Sequence, residues 1–214
     1  MKTEIKLTTH LTESLLAEVL DKVFEGCQIN KQVRLEIGNN VHKTAIVDYM
    51  VVTKHGKLIV EFNGHFHYQK GVQQHRDYLL RDYCAEDDIM LVEIPYFIQL
   101  DSDSAYMFFP NSIVDDYLEK FEITTTFPHG FVHPKCVLPC DFNIEGWDRF
   151  VSDYAYCLSG YNNDCEMWPI MQRIYESLEN KIEFSKYKDP ITVLGCMRDL
   201  TGRMPDTFLE HYPT

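Results

Sequence analysis

Two acidic residues sit where an acid is costly. Asp48 lies in the apolar run Ala45-Ile46-Val47-Asp48-Tyr49-Met50-Val51-Val52, and Glu61 lies in Leu58-Ile59-Val60-Glu61-Phe62-Asn63. A carboxylate among such neighbours is expensive to bury unless it is paired or holds a cation. Taken alone, each would more often face water from a half-exposed sheet. Lys54-His55-Gly56-Lys57 reads as a hairpin connection between the two runs. The acids then stand on adjacent strands and suggest one shared ligand. Phosphodiester hydrolysis at neutral pH needs an activated water and a partner for charge on the phosphoryl oxygens, and a divalent ion held by carboxylates supplies both. Mg²⁺ prefers hard oxygen ligands and keeps several waters, so one or two carboxylates suffice.

The surrounding elements have to position these acids. Residues 11–26 carry Leu15, Leu16, Val19, Leu20 and Val23 at helical spacing, with Thr12 as N-cap and Gly26 as stop. Strands are expected over 32–37, 42–53, 58–63 and 89–98, and a helix over about 69–83. The order α-β-β-β-α-β is one mixed α/β unit. After Leu100, Asp101-Ser102-Asp103-Ser104 is a polar break that divides the chain into 1–100 and 101–214. Ser112–Phe121 reads as a short amphipathic helix, 123–145 as irregular but packed, and 147–158, 167–185 and 191–200 as helices. The second part is therefore expected to be a mainly helical extension.

The stretch Val60-Glu61-Phe62-Asn63-Gly64-His65-Phe66-His67, followed by His75-Arg76-Asp77-Tyr78-Leu79-Leu80 and Ile89-Met90-Leu91-Val92-Glu93, resembles the very-short-patch-repair-like branch of the PD-(D/E)XK, restriction-endonuclease-like nucleases. That branch runs aspartate, hairpin, I-E-x-D-G-x-x-H, a helix with R-D-x-x-L, then a strand. The resemblance spans roughly residues 12–100 and is specific over 46–95. It implies Asp48 as the metal-binding aspartate, Glu61 as the first acid of the E-x-D/K pair, His67 as the histidine of G-x-x-H, and Arg76 as the helix arginine that braces the site or meets a phosphate. Asn63 stands where the branch has aspartate and the wider superfamily lysine. It offers a carbonyl oxygen but neither base nor charge, which shifts water activation to His65 or His67. A third acid from the first helix completes many such sites, and Glu18 and Glu13 are both available. The implied protein is a DNA endonuclease in which Asp48, Glu61 and the carbonyl region of Phe62–Asn63 hold Mg²⁺ or Mn²⁺.

Other features bound this reading. The net charge is −13, whereas nucleic-acid binding usually needs a basic surface. Residues 1–100 hold 11 Lys/Arg and 14 Asp/Glu, so most of the excess acid lies beyond them. His129, His133, Cys136 and Cys140 are zinc-ligand types, but their spacing matches no common zinc module, and the expectation is against zinc. The C-terminal aromatics at helical spacing are expected to be core rather than a base-stacking platform. Seven cysteines without regular spacing, no apolar stretch near the roughly 20 residues of a membrane helix, and no apolar leader point to a reducing, intracellular setting. The expected partner is nucleic acid, DNA before RNA and no membrane, with a homodimer left open. Two rivals remain: a nuclease-fold binding module without turnover, and a zinc-stabilised interaction module.

Overall fold

A computed structural model of the chain describes residues 2–37 and 44–126 together with Glu145, Gly146, Arg149, Phe150 and Asp153. The expected zinc ligands and most of the C-terminal helical patterns lie outside the described residues, as does the turn at 38–40. The elements are β1 (Thr3–Leu7), α1 (Glu13–Val23), β2 (Gln28–Glu36), β3 (Thr44–Thr53), β4 (Gly56–Asn63), α2 (Phe66–Gln69), α3 (Gly71–Glu86), β5 (Met90–Pro95), α4 (Ser102–Phe108), α5 (Asn111–Asp116), a 3₁₀ turn (Leu118–Lys120) and β6 (Phe121–Thr125).

A four-stranded sheet in the order β2-β3-β4-β5 forms the centre. The β2–β3 and β3–β4 pairs are antiparallel, and β4–β5 is parallel across the α2–α3 crossover. The β3–β4 hairpin turns on Lys54–His55 and closes at Gly56, whose φ of +113° favours glycine. On α1, Leu16, Val19, Leu20 and Val23 make one buried stripe. That stripe joins Tyr49, Val51, Leu58, Val60, Val92 and Ile94 in one apolar cluster. Ile59, flanked by Leu58 and Val60, points to the opposite face. There it joins Leu80 and Cys84 of α3, with Met50 and Ile89. The sheet is thus covered by α1 on one side and α3 on the other.

The fold is mixed α/β, and the expected run from first helix to fourth strand is present with shifted ends. It is preceded by β1, which the sequence reading did not contain, and β6 occupies the start of the segment expected to be irregular. These two strands pair in parallel, Thr3 opposite Phe121 and Leu7 opposite Thr125. The polar break at Asp101 is the capped start of α4: Asp101 Oδ1 accepts from Ser104 N, and Asp101 N donates to Ser104 Oγ, each at 2.8 Å. Leu100, Ala105, Phe109, Ile113, Leu118 and Ile123 belong to the same apolar cluster as α1 and the sheet. The described part of 101–126 is therefore packed into the body formed by residues 2–100, and its last element is a strand rather than a helix.

Candidate active site

The β3–β4 ladder runs from Thr53–Gly56 to Tyr49–Val60 and then stops. The next opposed residues are Asp48 and Glu61, and their side chains replace the ladder. Asp48 N donates to Glu61 Oε1 at 2.9 Å, and Phe62 N donates to Asp48 Oδ2 at 2.8 Å. From here β4 continues only with β5, where Glu61 stands opposite Glu93. The β2–β3 ladder also skips Asp48, pairing Lys31 with Tyr49 and Val33 with Val47. The residue it skips on β2, Gln32, has φ +52°, a left-handed backbone that is uncommon for a residue with a side chain. Its Nε2 donates to Asp48 Oδ1 and to Glu13 Oε1, both at 3.1 Å. The β3–β4 ladder therefore ends at Asp48, and the β2–β3 ladder is interrupted there for one residue.

The acids crowd one another. Burial pushes the Glu61 carboxyl up to about 9, the Asp48 charge adds to the rise, and the bond from the Asp48 amide opposes it. Glu13 is raised as well, first by partial loss of water and then by Asp48, against the bond from Gln32. Tyr49, whose hydroxyl donates to the Glu13 carbonyl at 2.8 Å, is pushed up to about 12 by burial and by the charges of Glu13, Asp48 and Asp21.

Of the two helix acids left open by sequence, Glu13 reaches the site. Glu18 is exposed, and its side chain has no hydrogen bond or ion pair among the described residues. Five residues separate them, roughly 140° around the helix, so they cannot share a face. Thr12 caps that first turn by accepting from Leu15 N at 3.2 Å, which holds Glu13 in place.

A second polar group adjoins the first on the α3 side of the sheet. Asn63, 1% exposed, donates through Nδ2 to Glu93 Oε1 at 3.0 Å. Glu93 also receives Arg81 Nε at 2.6 Å and Arg149 Nη2 at 2.9 Å. The Asp77 carboxylate bonds His67 Nδ1 at 2.8 Å and accepts from Arg149 Nη1. Burial pushes the Asp77 carboxyl up, yet the bonds and charges of His67 and Arg149 hold it below the ordinary value.

Other expectations need correction. His65 and His67, the two candidates for water activation, lie at the N-cap and in the first turn of α2, the short helix into which Gly64 leads. Two helical residues apart is roughly 200°, so the rings diverge. His65 lies 4.0 Å from the Phe66 ring, while His67 turns to Asp77. Arg76 is exposed, and its side chain has no hydrogen bond or ion pair among the described residues. The inward positions of α3 are Asp77, Leu80 and Cys84, so its neighbour Asp77 enters the site instead.

Glu93 carries the signature that singled out Asp48 and Glu61, an acid in an apolar strand, and could have been found by it. Gln32 and Arg149 have no comparable local signal. Among the described residues, no group of three or more His, Cys, Asp or Glu side chains is placed to hold a metal ion. No helix among them is long and apolar enough to cross a membrane. Comparison with protein-family models, with curated proteins and with solved structures gave no match.

Proposed function

We propose that the chain is a Mg²⁺- or Mn²⁺-dependent nuclease of the restriction-endonuclease-like kind that hydrolyses DNA at Asp48 and Glu61. The observation that carries this reading is the pair itself: two carboxyls stand opposite each other where β3 leaves β4 and its pairing with β2 is interrupted for one residue. Burial, with the Asp48 charge adding to it, leaves Glu61 with a proton that a cation would displace. Asp48, Glu61 and the Phe62 carbonyl are the donors; two carboxylates with water completing the shell match a hard cation. Such an ion, when bound, offsets charge on phosphoryl oxygens and acidifies water.

The remaining roles belong to the chain. Asp77 engages His67 Nδ1, leaving Nε2 as the ring atom that takes a proton from the attacking water. Asn63 is committed to Glu93 and acts as neither base nor charge. Glu13, bridged to Asp48 by Gln32, is the third acid. DNA as substrate rests on the sequence resemblance alone.

A second reading, a nuclease-fold module that binds nucleic acid or protein without turnover, is favoured by Asn63 and by the charge of −13. Plasmid, linear and single-stranded DNA incubated with Mg²⁺ or Mn²⁺ and with wild type or Asp48→Ala separates the two. Cleavage by wild type alone is the expected result. Equal products from both proteins sink the site assignment, and no products from either transfers the case to the second reading.

A further inference from the structure

Arg149 lies far along the chain from Asp48 and Glu61, yet its side chain reaches both carboxylates of the second polar group. It is 10% exposed, and its two terminal nitrogens bond different carboxylates, Nη1 to Asp77 and Nη2 to Glu93. Its Nε comes within 3.5 Å of Asp153 Oδ2 without hydrogen-bonding geometry. Its guanidinium lies 5.2 Å from the centre of the Tyr68 ring. Each carboxylate holds a further site residue: Asp77 holds His67, and Glu93 holds Asn63.

We propose that Arg149 is a positioning residue of the site, fixing Asp77 and Glu93 and, through them, the His67 imidazole and the Asn63 carboxamide. The inference rests on the nuclease reading for its meaning, but its geometry stands alone. Buried carboxylates repel unless a cation lies between them, and removing one partner from a buried ion pair leaves an uncompensated charge. A planar fork presents donors on separate nitrogens in fixed directions to two acceptors at once; a lysine ammonium has three donors, but all on one nitrogen, and cannot reproduce that span.

Side-chain NMR of Arg149→Met and Arg149→Lys in the full chain tests this below their melting midpoints. The probes are the Asn63 amide, assigned with Asn63→Ala, and the His67 ring nitrogens, assigned with His67→Gln. In Arg149→Met both sets of signals move, and Asn63 amide exchange accelerates roughly tenfold, as expected for one lost net hydrogen bond. In Arg149→Lys one branch keeps its signals and the other does not. Global destabilisation alone would leave native-state signals in place. Unmoved signals on both residues, in whichever variant folds, overturn the positioning role. DNA cleavage is a separate readout: wild type that leaves DNA intact sinks the nuclease reading and leaves the side-chain result standing.

Discussion

Glu61 keeps its proton to about pH 9 because it is buried and faces Asp48. The unfolded chain releases the same proton near the ordinary value of 4.5. Between these values the folded state binds more protons, so its stability is full at the acid end and declines as pH rises through 9. The thermal midpoint of metal-free protein is therefore expected to fall across this range, with a shallower fall in Glu61→Gln, as differential scanning fluorimetry would check. Mg²⁺ should bind more tightly as pH rises, since binding releases the proton. Calorimetry in buffers of different ionisation enthalpy measures that release. Gln32→Ala removes the amide shared by Asp48 and Glu13, and its expected cost is about 10–100-fold in metal affinity with a small change in stability. Asp48 and Glu61 were readable because an acid in an apolar strand contradicts its surroundings. Gln32 was not, because a polar residue in a half-exposed strand contradicts nothing until its backbone turns left-handed.

At the scale of elements, the site is a junction. β4 carries Glu61 and Asn63 toward the face covered by α3, and α3 meets it with Leu80 and Cys84 at one end and Asp77 at the other. The apolar end anchors the polar one. Leu80→Ala is expected to destabilise the fold by about 2–5 kcal/mol in urea titration, by transfer and cavity terms together. Thr12→Ala should cost about 1 kcal/mol in the same assay by uncapping α1. It should also lower cleavage, because the first turn carries Glu13. α1, β3, β4 and α3 were legible from periodicity, which is a local signal. β1 and β6 were not, since each is five residues long and gains its ladder from a partner over a hundred residues away. The short α2 was hidden because a four-residue helix makes barely one turn, so its period never repeats.

For the whole molecule, one apolar cluster runs from Ile5 through the sheet to Ile123. A fragment of residues 1–100 would expose the α1 side of that cluster and leave β1 without a partner. It is expected to stay unfolded by circular dichroism, whereas the full chain folds. The polar sequence at Asp101 suggested a boundary because capping residues and linkers share a composition, and only the pairing of Asp101 with Ser104 distinguishes them. The left-handed backbone at Gln32 sets one more property of the whole chain. Glycine adopts that conformation without steric cost, so Gln32→Gly is expected to keep or raise the thermal midpoint while it removes the amide between Asp48 and Glu13. Robustness and metal binding are therefore expected to pull in opposite directions at that position.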